Sequence, residues 1–176
     1  MKLVDLAGLH IEATTGAPIV LLREHDAPHR VLPIFVGGPE AAAIALSLSG
    51  QTPPRPLTHE LMASIVEQLD ARVDSVEVTE LLDGAFLAHL TLSGPTGHQQ
   101  LDSRPSDAIA LAIRLGAPMF VSEAVLDEAG TVLDESSDEL DDETIDGAVA
   151  EFRSFLDELD PSDFDDRGDP APDQTA

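Results

Sequence analysis

The sequence predicts an α+β fold, with a mixed, mainly antiparallel sheet packed with helices, then an amphipathic C-terminal helix and a disordered acidic tail. Short aliphatic and β-branched runs separated by turn residues indicate strands. Between them lie segments with helical apolar spacing. A length of 176 residues with 43% hydrophobic residues suffices for one buried core. We therefore expect one domain followed by a tail.

Seven short segments have the composition of strands. They are residues 2–12, 18–23, 31–36, 72–80, 85–92, 98–102 and 119–121. Pro33 cannot donate to a strand ladder, so the third strand should lie at a sheet edge or carry a bulge. Asp83-Gly84, between the fourth and fifth strands, favours a tight hairpin.

Four helices are predicted within the same part of the chain, at residues 39–49, 58–69, 105–115 and 122–129. Gly50 and Gly116 are placed to end the first and third helices, and Thr58 and Ser122 to cap the second and fourth. The second helix should bury the face that carries its apolar residues, Leu61, Met62, Ile65, Val66 and Leu69.

A fifth, amphipathic helix is predicted at residues 143–159, because Ile145, Val149, Phe152, Leu156 and Leu159 recur at spacings of three and four. Its apolar stripe would pack against the same domain, or bind a partner or a second copy. The acidic, proline-containing end cannot bury apolar surface and should be disordered. We divide the chain into a domain (1–130), an acidic linker with the amphipathic helix (131–160) and a disordered tail (161–176).

The charge is concentrated towards the C-terminus. Residues 1–122 hold 14 acidic and 7 basic side chains, whereas residues 123–176 hold 20 acidic and 2 basic ones. A polyanionic segment repels phosphate backbones, so sequence-specific DNA binding is not expected. With six Phe and no Trp or Tyr, the chain also has few rings on which bases could stack.

Several classes of protein are disfavoured by what the sequence lacks. It has no cysteine, which excludes disulfides and thiolate chemistry. It has no apolar run of roughly 18 residues and no signal-peptide core, so we expect a cytoplasmic protein without membrane association. Common phosphate-loop, hydrolase, zinc-protease and dinucleotide motifs are absent.

The first candidate motif is Pro54-Arg55-Pro56-Leu57-Thr58-His59. Flanking prolines stiffen the loop that carries Arg55, which suits contact with a phosphate or carboxylate, and Thr58 begins a helix whose N–H groups favour an anion. His59 could transfer a proton near neutral pH. Alternatively, Arg55 pairs with a structural carboxylate and His59 lies in a solvated first turn.

The second candidate motif is Asp102-Ser103-Arg104-Pro105-Ser106-Asp107. It repeats the arrangement of an Arg beside a Pro before a helix, with Arg104 and Ser106 as substrate-binding candidates and Asp102 and Asp107 as catalytic ones. Carboxylates from both motif regions could hold Mg²⁺ or Mn²⁺; the candidate ligands are Glu40, Glu60, Asp102 and Asp107. Alternatively, Asp107 only complements the helix dipole and Asp102 pairs with Arg104.

Three segments together resemble the bifunctional nuclease domain family. They are residues 32–37 leading to Glu40-Ala41 and Ile44, residues 54–60, and residues 102–112, in the family's order and spacing. The resemblance covers roughly residues 1–130, and bacterial members carry a segment similar to residues 151–164. It implies a mixed α+β domain, often self-associated, in a family named for DNase and RNase activity.

Two functions remain open. One is metal-assisted phosphodiester hydrolysis of RNA or DNA with little sequence specificity, with His59 transferring a proton and weak binding of single-stranded nucleic acid. The other is a non-catalytic, oligomeric binding or regulatory protein that uses the Arg-Pro loops for an anionic ligand or for subunit contacts. In either case we expect a homo-oligomer.

Overall fold

Eight strands form one sheet in the computed structural model, which describes residues 1–12, 15–51 and 53–132. The strands are β1 (Lys2–Ile11), β2 (Pro18–Glu24), β3 (Arg30–Phe35), β4 (Arg72–Leu82), β5 (Ala85–Gly94), β6 (Gly97–Ser103), β7 (Met119–Val121) and β8 (Thr131–Val132). The helices are α1 (Gly38–Leu48), α2 (Thr58–Gln68), α3 (Pro105–Leu115) and α4 (Glu123–Ala129). The predicted α+β class is confirmed, and the predicted elements within this part are all found.

The sheet consists of two antiparallel meanders joined by a short central strand. Its order is β6-β5-β4-β7-β1-β2-β3-β8. Strand β7 pairs antiparallel with β1 and parallel with β4, and every other strand pair in the described residues is antiparallel. The sheet is therefore mixed and mainly antiparallel, as predicted.

Local turn chemistry fixes the predicted hairpin and helix ends. Asp83 and Gly84 have φ values of 50° and 80°, as a two-residue turn between twisted strands requires. Gly116 ends α3 in the left-handed conformation, with φ of 68°. Pro33 lies on β3 beyond the two residues that pair with β8, so the strand is a sheet edge at that point.

Helix α3 is the centre of the helical layer. Its run Ala108-Ile109-Ala110-Leu111-Ala112 is buried throughout, and the helix contacts α1, α2 and strands β3, β4 and β5. The small alanine side chains let these neighbours approach closely. This packing brings the starts of α1, α2 and α3 together.

The sheet must curl, because α3 and α4 each contact both β3 and β4. Those strands are four steps apart in the sheet order. In a flat sheet they would lie about 19 Å apart at about 4.8 Å per step, whereas the seven-residue helix α4 is only about 10 Å long. Curling brings the end of β3 towards the β4–β5 hairpin.

A buried ion pair ties this curled edge to α4. Glu24 is 1% exposed, and its two carboxylate oxygens accept hydrogen bonds from Arg30 at 2.9 and 3.1 Å. Arg30 also contacts Glu123 and Asp127 of α4. Hydrogen bonds from Arg30 lower the pKa of the Glu24 carboxyl despite burial, so the pair stays charged.

Helix α2 differs from its prediction in two respects. Leu57, not Thr58, precedes the first helical residue as the cap position, because its N–H donates to Oε2 of Glu60 at 3.0 Å. The expected buried face is also wrong in part. Met62 and Val66 pack against the core, but Leu61, Ile65 and Leu69 are 51%, 48% and 66% exposed.

Strand β8 was not predicted, and it carries the sheet two residues beyond the expected domain end at 130. The predicted helix at 143–159 and the tail at 161–176 lie outside the described residues, so that division stays a prediction. None of the helices in the described ranges is long and apolar enough to span a membrane.

Candidate functional site

Arg104 links the N-terminal ends of α1 and α3. It occupies the cap position of α3 in an extended conformation, followed by Pro105 in the first turn. Its Nε donates to Oδ2 of Asp107 at 2.8 Å, and its Nη2 donates to Oδ1 of Asp107 at 3.1 Å and to Oε1 of Glu40 at 2.7 Å. The alternative in which Asp102 pairs with Arg104 is therefore wrong, since Arg104 pairs with Glu40 and Asp107 among the described residues.

His59 joins the same cluster from α2. The residue is 7% exposed, and its Nε2 lies 3.1 Å from Oδ1 of Asp107. An ionised carboxylate only accepts, so Nε2 carries the hydrogen in this contact, and a neutral ring then has Nδ1 as its acceptor. Burial rules out the alternative in which His59 lies in a solvated turn.

Asp107 is the shared member of both contacts. Burial raises the pKa of its carboxyl, but hydrogen bonds from Arg104 and His59 and the charge of Arg104 outweigh burial and hold that pKa below the usual value. Asp107 and Glu40 in turn raise the pKa of Arg104. The cluster therefore holds a charged carboxylate and a charged guanidinium at neutral pH.

Two further motif residues shape the cluster without joining its ion pairs. Glu60 is buried, and its carboxylate accepts the hydrogen bond from the Leu57 N–H at the start of α2. A Cβ added at Gly37 would collide with Oε2 of Glu40, so glycine leaves room for the Glu40 carboxylate to fold back towards Arg104. Ser106 is buried in the first turn of α3, whereas Thr58 is exposed.

Arg55 and Asp102 are not brought into this cluster. Arg55 is exposed in the loop before α2, and Asp102 is exposed on β6 opposite His89 of β5. Among the described residues, neither side chain makes one of the ion pairs of the cluster. Their roles in substrate binding and catalysis stay predictions.

The predicted metal ligands do not assemble as placed. Glu40 and Asp107 both hold Arg104, Glu60 caps α2, and Asp102 lies on β6. Within residues 1–12, 15–51 and 53–132, no group of three or more His, Asp or Glu side chains is arranged to hold a metal ion. These donors do not fit a divalent cation in this arrangement, and metal binding stays a prediction.

A cleft of about 350 Å³ opens beside Arg104, between the end of β3, the β4–β5 hairpin and the start of α3. Residues that line it include Phe35, Gly37, Gly84, Phe86, Arg104 and Ser106. Sequence reasoning missed the two phenylalanines, because they are distant in the chain and come to line one cleft only through the curl of the sheet. A local signal was present, because the alternation of a strand places Phe35 on the opposite face from Ile34.

The fold and site define an α+β domain in which a part-buried His-Asp pair is joined to an arginine at the meeting point of three helix starts. Comparison with known proteins agrees with the motifs. Residues 20–134 match the family model described as the bifunctional nuclease domain. The chain belongs to this family.

One bacterial relative covers nearly the whole chain. An uncharacterized protein of Mycobacterium tuberculosis (strain ATCC 25618 / H37Rv) is 40% identical over 162 residues, which cover 92% of this chain and 96% of that protein. The similarity therefore extends beyond the described residues.

The plant relatives match a shorter part of the chain. Bifunctional nuclease 2 of Oryza sativa subsp. japonica is 26% identical over 117 residues, and Bifunctional nuclease 1 of Arabidopsis thaliana is 27% identical over 118 residues. Each match covers 65% of this chain but 36% of the plant protein. The similarity to the plant proteins thus leaves most of their length unmatched.

Proposed function

We propose that this chain is a nuclease that hydrolyses phosphodiester bonds of RNA or DNA with little sequence specificity. The observation that carries the proposal is the part-buried hydrogen bond between His59 and Asp107, beside the exposed guanidinium of Arg104. Membership of the family and the names of the plant relatives support the reaction class. Arg104 lies between the acidic side chains of Glu40 and Asp107, and this arrangement does not select one base over another.

In the proposed reaction, His59 acts as general base. Asp107 fixes the ring through Nε2, so Nδ1 takes a proton from an attacking water as the oxygen of that water bonds to phosphorus. The bond from phosphorus to the leaving oxygen then breaks, that oxygen takes up a proton from solvent water, and Nδ1 returns its proton to solvent. Because His59 is 7% exposed, only a group as small as water would reach it.

Arg104 would bind the phosphate. Its side chain is 68% exposed, and Nη1 makes none of the hydrogen bonds recorded among the described residues. A guanidinium nitrogen facing solvent can donate to a phosphate oxygen and stabilise the charge that develops there. Arg55, Thr58 and Ser106 remain proposed contacts of the substrate.

The proposed Mg²⁺ or Mn²⁺ has no step in this scheme. Binding by Glu40 and Asp107 would require Arg104 to release both carboxylates, and Glu60 and Asp102 would have to move towards them. Cleavage assays should therefore include Mg²⁺, Mn²⁺ and EDTA as separate conditions.

The test is cleavage of single-stranded RNA and DNA by the purified protein and by two variants. We expect His59→Ala and Asp107→Asn each to lower the rate by about 100-fold or more, the usual contribution of general acid-base catalysis. His98→Ala is the matched control, since its side chain is 79% exposed at the start of β6. Equal cleavage by all four proteins would refute the site.

A second candidate is the non-catalytic binding or regulatory protein, and the charge of the cluster favours it. When His59 is neutral, the two negative charges of Glu40 and Asp107 exceed the one positive charge of Arg104. The cluster is then net negative and repels an anion. The exposed stripe of Leu57, Leu61, Ile65 and Leu69 offers a surface for the proposed homo-oligomer. A wild-type protein that cleaves nothing, and is oligomeric by light scattering, would support this candidate.

A further inference from the structure

We infer that the cleft beside Arg104 holds one unstacked nucleotide of a single strand, with its base against Phe35 and its phosphate at the Arg104 guanidinium. This inference rests on the proposed nuclease function for its substrate class and adds a specificity-determining residue, Phe35. It commits the cleft to a single-stranded nucleic acid and to no other macromolecule.

The first support is the exposed aromatic ring. Phe35 is 63% exposed at the end of β3, although Ile34 beside it is buried in the core. Phe86 lines the opposite part of the cleft and packs against the core, so it is anchored. Every base has a face that can stack on such a ring, and stacking of this kind is tolerant of sequence.

The second support is the size and charge of the cleft. Its volume of about 350 Å³ lies at the lower end of the roughly 300–1,000 Å³ typical of small-molecule sites, which suits one nucleotide unit. Gly37, Gly84 and Ala85 line it without bulky side chains. Among the described residues that line it, Arg104 alone is charged; Glu40 and Asp107 offset its charge, and its exposed Nη1 supplies the hydrogen-bond donor for a phosphate.

Stacking on Phe35 would also distinguish single strands from duplexes. In a duplex, each base is stacked between its neighbours. The ring of Phe35 can therefore stack only on a base that has left the duplex stack. A single strand meets this requirement at little cost. The cleft therefore predicts a preference for single strands that does not depend on sequence.

The test uses the full chain with His59→Ala as the background, which lowers cleavage during binding and leaves both carboxylates that hold Arg104 in place. Anisotropy of a labelled oligothymidylate is compared with that of an abasic oligomer of the same length and charge, and with a duplex. We expect the oligothymidylate to bind most tightly. Phe35→Ala should weaken its binding by roughly 5- to 150-fold, the range for one stacked base, and leave abasic binding unchanged.

Two further variants keep the result interpretable. Phe35→Tyr should retain binding, because it preserves the ring. Leu48→Ala should have no effect, because this exposed apolar residue at the end of α1 does not line the cleft. Thermal unfolding of each variant confirms that it folds. Equal binding of the thymidylate and abasic oligomers, or unchanged binding by Phe35→Ala, overturns the inference.

Failure of the two proposals can be told apart. Base-dependent binding that is lost in Phe35→Ala, together with no cleavage by the wild type, supports the cleft and refutes the hydrolase. Cleavage by the wild type that is lost in His59→Ala, with Phe35→Ala binding as tightly as the background protein, refutes the cleft alone. No binding of any oligomer also refutes the cleft.

Discussion

Asp107 shows what single residues contribute to this site. Its carboxylate accepts hydrogen bonds from a histidine of α2 and from the arginine that precedes its own helix. Sequence reasoning chose His59, Arg104 and Asp107 separately, because each stands beside a proline-stiffened loop or a helix start. It could not pair them, because His59 and Asp107 are 48 positions apart and meet only when α2 packs on α3.

The pH dependence of stability follows from the lowered pKa of the Asp107 carboxyl. The folded pKa lies below the unfolded one, so its stabilisation is present above an ordinary aspartate pKa of 3.8 and is lost as the pH falls through the folded value. The difference in unfolding free energy between wild type and Asp107→Asn should be constant from about pH 7 to about pH 5 and shrink below that.

Denaturant unfolding across this pH range measures the effect. Arg104→Gln removes a main cause of the lowered pKa, so the acid-dependent part of the difference should be smaller in its background. A difference between wild type and Asp107→Asn that grows as the pH falls below 3.8 would contradict the assignment.

At the scale of the elements, local chemistry predicted where most helices and strands begin and end. Gly116 and the Asp83-Gly84 turn were predictable because their conformations depend on their own residues. The buried face of α2 was not, because Leu61 and Met62 are equally apolar in the sequence. The contact between His59 and Asp107 turns the other side of α2 towards α3.

The left-handed conformation of Gly116 at the end of α3 leads to a prediction about stability. Gly116→Ala should lower the free energy of unfolding by about 1–2 kcal/mol, because an L residue is strained at a φ of 68°. Gly38→Ala, at the first position of α1, is the matched control. Its Cβ would meet nothing within 4 Å, so it should be neutral or stabilise by up to about 1 kcal/mol.

Thermal or denaturant unfolding distinguishes the two glycine variants. The two substitutions should change the free energy of unfolding in opposite directions. If Gly38→Ala is neutral, Gly116→Ala should still be clearly the less stable protein. Equal stability of both variants would show that the end of α3 relaxes and does not impose the left-handed conformation.

At the scale of the whole molecule, charge opposes the proposed substrate. Residues 133–176 hold 17 acidic and 2 basic side chains, which account for 15 of the 25 net negative charges. A chain that ends at Val132 keeps every strand and core residue that the structure describes. It should bind a single-stranded oligonucleotide about tenfold or more tightly than the full chain at low salt.

Salt titration of binding checks this prediction. The advantage of the shorter chain should shrink as salt rises, because the screening length falls from about 30 Å at 0.01 M to about 8 Å at 0.15 M. A full-length chain whose C-terminal carboxylates are changed to amides should bind as the shorter chain does. Equal affinity of the shorter and unaltered chains at low salt would show that these charges do not reach the binding surface.

The central strand β7 has a consequence for synthesis of the chain on the ribosome. Three residues, Met119–Val121, pair with β1 on one side and with β4 on the other. At about 5–20 residues per second, β1 emerges roughly 6–24 seconds before the strand that covers its edge. Lys2 and Asp5 lie on β1, and charged residues there discourage a neighbouring nascent chain from pairing with the uncovered edge during that delay.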